Sequence, residues 1–189
     1  MRIPTLTTDR LILKPLVAED AQQIQKLYPR WEIVRYMVAS VPWPYPENGA
    51  ENYVNNVALP DMAKGIAWCW TIRHCETPDK LMGLICLYDV EDNNRGFWLA
   101  PEYQGHGFMR EASIAATDYW FNVLNKAVLR APKAAANSRS QRISVSSGMR
   151  LIKTVKKEYV SGLLDSELWA ITRAAWNAQC RQRVASLTK

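Results

Sequence analysis

The segment from Asn94 to Ala112 constrains the fold and the chemistry of this chain more than any other part of the sequence. It begins with a short apolar strand, Gly96 to Ala100, which ends at Pro101. Gly105 and Gly107 follow, and a long amphipathic helical pattern begins after them. A strand, a glycine turn and a helix start present backbone N–H groups and the positive end of a helix to an anion. Because a Cβ would keep a phosphate away from the backbone, the two glycines indicate an anion-binding loop.

Size and composition indicate a globular protein. The chain has 189 residues, of which 48% are hydrophobic, so we predict a single domain over 1–189, with its core at about 8–176 and a C-terminal tail or final helical turn at 177–189. No apolar run approaches the roughly 20 residues that span a bilayer, and the N-terminal sequence lacks the apolar core of a signal peptide. We therefore expect a cytoplasmic protein without a membrane partner.

The cysteines show no paired C-x-x-C spacing. In a cytosolic chain, isolated cysteines are usually reduced and partly or fully buried, which is what we predict for all 4 of them, Cys69, Cys75, Cys86 and Cys180. Only 2 histidines are present to complete a set of metal ligands. The sequence therefore predicts no metal site.

Charge is distributed unevenly along the chain. Residues 1–125 hold 11 basic and 15 acidic side chains, whereas residues 126–189 hold 13 basic and 3 acidic ones. A basic C-terminal part suits contact with RNA, with the ribosome or with the phosphates of a nucleotide cofactor. No recognised nucleic-acid-binding motif accompanies this charge, so we favour a solvated basic face over nucleic-acid binding as its primary function.

Hydrophobic periodicity predicts a mixed α/β (α+β) fold with a mostly antiparallel central sheet of about six to seven strands flanked by helices. A hairpin turn is predicted at 77–80, where Thr-Pro-Asp-Lys separates two apolar runs. Asn137 and Gly148 mark the start and the end of a short helix. The predicted strands are 10–16, 66–73, 81–88, 95–100, 127–136, 149–156 and 167–176, and the predicted helices are 19–28, 47–62, 102–123 and 137–147.

The glycine segment resembles the acetyl-CoA loop of the GNAT superfamily of N-acetyltransferases. Gln104, Gly107 and the strand 96–99 match its signature, whereas Met109 stands where the family normally has Ala or Gly. The resemblance implies acetyl-CoA as co-substrate, and a side chain at position 109 would crowd its pyrophosphate unless it turns away. The cofactor-binding residues that the resemblance implies are Trp98, Leu99, Gln104, Gly105, His106, Gly107, Phe108, Met109 and Asn137.

Two further segments resemble the branch of this family that acetylates the N-termini of ribosomal proteins. Asn137, Ser140 and Gly148 hold the spacing of one motif, and Glu158-Tyr159 followed by Gly162 matches another. The opening 8–15, Thr-Asp-Arg-Leu-Ile-Leu-Lys-Pro, also resembles that branch. Many relatives place a tyrosine acid seven residues after the Asn, where this chain has Ser144.

The resemblance implies three catalytic residues. Glu158 is the implied general base, Ser140 the implied acid that protonates the leaving thiolate, and the backbone N–H of Leu99 the donor to the carbonyl oxygen. An α-amine, with a pKa near 8, needs only a weak base, whereas a lysine side chain near 10.4 needs a stronger one. Glu158 is equally read as a solvated charge beside Lys156, and the acidic residues at 89, 91 and 92 are rival bases or simple turn residues.

Three functions remain open on the sequence alone. The first is an acetyl-CoA-dependent N-acetyltransferase that works by direct attack in a ternary complex, with a protein N-terminus or a small amine as acceptor. The second is a non-catalytic acyl-CoA-binding or regulatory module. The third is a basic ribosome- or RNA-binding protein. The surface also permits a homodimer.

Overall fold

The computed structural model describes residues 3–187, with the side chains of residues 3–182. Among these residues, eight strands form two antiparallel sheets, ordered β1-β2-β3-β4-β5 and β6-β8-β7. The strands are β1 Leu6–Thr7, β2 Leu11–Pro15, β3 Ala67–His74, β4 Thr77–Tyr88, β5 Arg95–Leu99, β6 Val128–Ala134, β7 Arg150–Tyr159 and β8 Gly162–Thr172. The predicted mixed, mostly antiparallel sheet with flanking helices is confirmed, with one strand more than the upper estimate.

Helices cover both faces of the first sheet. They are α1 Ala21–Leu27, α2 Trp31–Val34, α3 Gly49–Tyr53, α4 Leu59–Lys64, α5 Phe108–Asp118, α6 Ser138–Ser146 and α7 Arg173–Leu187. A π-helical turn, Val54–Ala58, joins α3 to α4, and another, Tyr119–Val123, extends α5. None of the helices in the described range is long and apolar enough to cross a membrane.

The two sheets meet where β5 and β6 begin. The Asn94 N–H donates to the carbonyl of Arg130 at 2.7 Å, and the Arg130 N–H donates to Asn94 Oδ1 at 2.7 Å. Beyond this point the two strands belong to different sheets, and residues 96–98 and 132–134 line a gap between them. This gap is the feature of the fold that creates the candidate site.

The core consists of two clusters, one on each face of the first sheet. Along β3, Trp68 and Trp70 enter the cluster beneath α5 and α7, whereas Cys69 enters the cluster beneath α1 and α3. Successive residues of a strand point to opposite faces, so a strand buried on both sides reads as a continuous apolar run. Fully burying one large apolar side chain contributes about 1.5–3 kcal/mol.

Several predicted boundaries differ from the structure. The main helix begins at Phe108 rather than at 102, because Gly105 and Gly107 adopt φ of +88° and +81°, which a helix does not allow. The hairpin reverses at 75–76, since His74 pairs with Thr77, so the predicted turn at 77–80 is part of β4.

The C-terminal region also differs from the prediction. The last strand ends at Thr172 rather than at 176, and the predicted tail or final helical turn is mostly part of the longer helix α7, which begins at Arg173. Thr172 explains the change, because its Oγ1 accepts the N–H of Ala175 at 3.3 Å, which is the arrangement of a helix N-cap. The last two residues of the predicted tail, 188–189, lie outside the described part of the chain.

The prediction of four reduced cysteines is wrong for one pair. Cys69 and Cys86 form a disulfide across β3 and β4. They are direct partners in the strand register, with Cα atoms 4.1 Å apart, so the fold brings together two residues that lie 17 positions apart in sequence. The spacing of the cysteines in the sequence does not indicate this pairing. Cys75 is an exposed thiol.

Candidate active site

The glycine loop, residues 104–108, lies at the N-terminus of α5. Gly107 is the N-cap residue, and the first intrahelical bond runs from the Glu111 N–H to the Gly107 carbonyl at 3.1 Å. The first N–H groups of a helix have no partner within it and carry the positive end of the helix dipole. Gly105, His106 and Gly107 are all exposed, so an anion can reach this backbone.

A clamp of three side chains holds the loop. Glu111 accepts bonds from the Thr8 hydroxyl at 2.6 Å and from Arg10 Nε at 2.8 Å. Arg10 Nη1 also donates to the carbonyl of His106 at 3.1 Å, and its guanidinium stacks 4.6 Å from the centre of the Phe108 ring. The clamp gives a structural reason for the Thr-x-Arg sequence at the start of the chain.

Glu111 is ionised within this clamp. Burial raises the pKa of this carboxyl group, but hydrogen bonds from Thr8 and Arg10 and the charge of Arg10 together lower the pKa below its ordinary value. A lowered folded-state pKa adds stability above the unfolded-state pKa. That contribution is lost as the pH falls through the lowered value, so the clamp is intact at neutral pH.

Gln104 connects the loop to the gap between the sheets. Its Nε2 donates to the Leu99 carbonyl at 2.7 Å, and its Oε1 accepts a bond from Arg139 at the start of α6. The Ala100 N–H bonds to Met82 of β4 at 2.9 Å. Because neighbouring residues of a strand direct their N–H groups to opposite sides, the Leu99 N–H points away from β4 and towards the gap.

The side chain of Met109 turns away from the loop. It is only 7% exposed and belongs to the core cluster beneath α5. Its side chain therefore leaves the exposed backbone of the loop clear, and only its N–H, in the first turn of α5, is available to an anion. Met is flexible enough to pack in this way at a position where smaller residues are usual.

A cleft of about 700 Å³ occupies the gap between β5 and β6. Trp98 enters it from β5, and Asn137 and Ser140 enter it from the start of α6. Asn137 caps α6, since its Oδ1 accepts the Ser140 N–H at 3.2 Å, as the sequence predicted. The aromatic side chains that line the cleft are Tyr28, Tyr36, Tyr45, Tyr53, Tyr88, Phe97, Trp98 and Tyr159.

Lys133 is a residue of this cleft that the sequence did not indicate as functional. It lies on β6, is 6% exposed, and directs Nζ to the hydroxyl of Ser144 and to within 3.4 Å of Ser140 Oγ. Burial, followed by the positive charge of Arg95, lowers the pKa of Lys133 to about 7, although Glu167 acts in the opposite direction. The side chain thus exchanges protons near neutral pH. The sequence around Lys133 gives no sign of this lowered pKa, because the shift depends on burial in the folded chain.

The structure does not bring Glu158 to the cleft. Its neighbours Lys157 and Tyr159 line the cleft, and Glu158 lies between them on the opposite, exposed face of β7. The rival acidic residues also lie elsewhere: Asp89 pairs with Lys126 at 2.7 Å, and Asp92 pairs with Lys153 at 3.1 Å. The predicted base therefore has no contact that supports the role.

Comparison with known proteins identifies the family. Residues 10–150 match the acetyltransferase (GNAT) domain family. The chain belongs to the GNAT acetyltransferase family. It is therefore an N-acetyltransferase by family, and the glycine loop that carried the first resemblance lies next to the cleft, whereas Glu158 does not.

Individual relatives fit this assignment. An uncharacterized N-acetyltransferase, YoaA of Bacillus subtilis, is 26% identical over 155 residues, covering 78% of this chain and 83% of the relative. The ribosomal-protein-S5-alanine acetyltransferase of Vibrio fischeri has a TM-score of 0.77 at 16% identity, covering 92% of this chain and 98% of that chain. The spermidine N-acetyltransferase of Vibrio cholerae, in complex with CoA and spermine, has a TM-score of 0.74 at 20% identity, covering 89% and 99%.

Proposed function

We propose that this GNAT protein binds acetyl-CoA at the glycine loop and transfers the acetyl group to a primary amine by direct attack in a ternary complex. The observation that carries the proposal is the exposed backbone of Gly105, His106 and Gly107 at the N-terminus of α5, next to the Leu99 N–H and an open cleft. A positive helix end with accessible N–H groups suits a pyrophosphate. The gap between β5 and β6 suits an amine that approaches the thioester from the side opposite the glycine loop.

Each residue has a defined task in the proposed mechanism. The Leu99 N–H donates a hydrogen bond to the thioester carbonyl oxygen, which gathers negative charge as the amine attacks. Gln104 holds the Leu99 peptide through its carbonyl. Asn137 and Ser140 form the wall of the cleft at the start of α6. The amine nitrogen gains a bond to the carbonyl carbon, the carbon–sulfur bond breaks, and one proton passes from nitrogen to sulfur.

Lys133 is the group that we propose to move this proton. In its neutral form Nζ accepts the proton that the amine loses, and the resulting ammonium donates it to the departing thiolate. With its pKa lowered to about 7, Lys133 can take either form near neutral pH. The Ser140 hydroxyl lies 3.4 Å from Nζ and can orient it or relay the proton. No external acid or base is consumed, since Lys133 gives the thiolate the same number of protons that it takes from the amine.

The general class of acceptor is a primary amine. Structural relatives include acetyltransferases of a ribosomal protein and of spermidine, so both a protein N-terminus and a small amine are within the range of this fold. The basic C-terminal part of the chain is compatible with a ribosome contact. A homodimer and a ribosome partner are predictions from the sequence.

Isothermal titration with acetyl-CoA, and with CoA for comparison, tests the proposal. We expect acetyl-CoA to bind with a dissociation constant of about 1–100 µM, in the range usual for enzyme substrates. A folded protein that does not bind it would contradict the proposal and favour the RNA-binding alternative. Binding without CoA release in the presence of any amine would instead favour the non-catalytic module.

The clamp predicts a selective effect on cofactor binding. We expect Arg10→Ala to raise the KM for acetyl-CoA about 3- to 10-fold with little change in kcat, because Arg10 orders the loop without reaching the reacting atoms. Lys64→Ala is the matched control, since Lys64 also forms a surface ion pair, with Asp61 at 3.4 Å, but on the exposed helix α4. Steady-state kinetics at varied acetyl-CoA measures the effect. Equal KM values for the two variants would contradict the role of the clamp.

A further inference from the structure

The acceptor side of the cleft is aromatic, and the described residues that line it include no carboxylate. Tyr28 stands edge-on to Trp98 with ring centres 5.3 Å apart and to Tyr45 at 5.1 Å, and the hydroxyls of Tyr53 and Tyr88 lie 3.4 Å apart. Burial raises the pKa of Tyr28 and of the other cleft tyrosines of this cluster, so all of them are neutral. Among the described residues that line the cleft, none is Asp or Glu.

The charged side chains among the described lining residues of the cleft are all basic. Arg95 is 3% exposed; Nη1 donates to Thr117 at 2.8 Å, Nη2 lies 3.4 Å from the sulfur of Met149, and Nε has no hydrogen-bond partner in the described structure. Lys157 lines the cleft from β7 and is half-buried. A buried guanidinium without a carboxylate partner creates a positive potential in its surroundings.

A roof closes the cleft on one side. The roof segment, residues 36–46, crosses from the helical layer to the second sheet, where Val38 pairs with Tyr159. The Tyr36 hydroxyl donates to the Ala136 carbonyl at 3.2 Å, immediately before the N-cap of α6. Because the roof is bonded at both β7 and the start of α6, it covers one side of the cleft, which stays open elsewhere. A cleft covered on one side fits a compact acceptor better than a folded protein surface.

From these features we infer that the acceptor is a small amine with an aromatic or apolar body and a carboxylate group, of the α-amino-acid class, rather than a polyamine or a basic peptide. This inference rests on the proposed function. The carboxylate pairs with Lys157, which lines the cleft from β7, and the body packs among the tyrosines, while the buried Arg95 contributes its positive potential. A second positive charge on the acceptor meets these cations, and no carboxylate among the described lining residues offsets it.

The same charges prepare the amine for attack. The positive charges of Arg95 and Lys157 disfavour the ammonium form of the bound acceptor amine and therefore lower its pKa. The neutral amine is the nucleophile, so the field of Arg95 and Lys157 favours the reactive form without a carboxylate base. This explains how a cleft without Asp or Glu among its described lining residues can serve an aminolysis reaction.

An acceptor panel tests the inference. CoA release by the wild-type protein at saturating acetyl-CoA is measured with phenylalanine, phenethylamine, spermidine and a neutral peptide that begins with serine. We expect kcat/KM for phenylalanine to exceed that for phenethylamine about 10-fold and that for spermidine about 100-fold. Phenylalanine that is inactive or no better than phenethylamine overturns the inference, as does faster acetylation of spermidine or of the peptide. In those cases acetyl-CoA binding, measured separately, still upholds the proposed function.

Charge reversal on β7 gives a matched pair of variants. Lys157→Glu places a carboxylate in the cleft, whereas Lys156→Glu makes the same change on the exposed face, where Lys156 pairs with Asp165 at 2.9 Å. We expect Lys157→Glu to lower kcat/KM for phenylalanine at least about 10-fold and to raise it for spermidine, and Lys156→Glu to change both by less than about twofold. Equal effects of the two variants would show that only the overall charge matters, and this would overturn the inference.

Discussion

Gly107→Val will reduce acetyl-CoA affinity at least about 100-fold while the protein remains folded. Gly107 has φ of +81°, and a β-branched residue at such a φ is strongly strained, so the loop will leave its observed path. A Cβ at this position also lies 3.4 Å from Arg10 Nη2, so a larger side chain displaces the clamp. Isothermal titration with acetyl-CoA measures the loss.

Gly65 supplies the control for this prediction. It has φ of +72° at the end of α4, and no atom lies within 4 Å of a Cβ built there. Gly65→Val therefore carries a similar backbone strain at a position remote from the loop. We expect it to lower the melting temperature and to leave acetyl-CoA affinity unchanged. If Gly107→Val binds as tightly as the wild type, the loop does not bind the pyrophosphate.

Local signals in the sequence are sufficient to predict the loop. Gly105 and Gly107 stand between a strand and a helix, and Asn137 precedes a helical run, so backbone geometry follows from residue type at these positions. Both features lie in the structure where the sequence puts them. The start of the main helix was harder to predict. The residues after Pro101 are compatible with a helix in sequence, and only the structure shows that the two glycines have positive φ.

Features that depend on contacts across the sheet were not predictable in this way. Cys69 and Cys86 meet only because β3 and β4 pair in one register. Glu158 satisfied a motif, yet the two-residue period of β7 directs it away from the cleft. Met109 looked obstructive until its helical position placed it in the core. Each outcome depends on which face of an element a side chain occupies, and a local pattern does not specify that face.

Lys133 extends this point to chemistry. In sequence it stands in a strand of small residues before Asn137, where a lysine is most simply read as a surface charge. In the fold its ammonium is buried beside Arg95, and Ser144, at the position where many relatives carry a tyrosine, accepts its hydrogen bond. The proposed proton-transfer group of this chain therefore contacts the side chain at the position where the resemblance implies a tyrosine acid in many relatives.

Lys133→Met tests this assignment, and we expect kcat to fall about 100-fold or more, the usual contribution of a proton-transfer group, with little change in the KM for acetyl-CoA. Wild-type kcat should rise as the pH increases through about 7, because only neutral Lys133 accepts the proton, and this limb should be absent in the variant. Lys133→Arg should be equally slow, since arginine keeps the charge but does not deprotonate. Activity retained in Lys133→Arg would assign a merely structural role to the charge.

We do not expect unfolding to cause the loss of kcat in Lys133→Met, and the pH dependence of stability checks this. The folded-state pKa of Lys133 is below its unfolded-state value, so protonation disfavours the folded wild type most below pH 7, and this penalty disappears as the pH rises towards about 10.4. Lys133→Met removes the penalty, so its melting temperature at pH 6 should be no lower than that of the wild type.

Glu158→Gln completes the comparison. If it abolishes turnover while Lys133→Met does not, the proton passes through the exposed face of β7 after all; the reverse result assigns the proton transfer to Lys133.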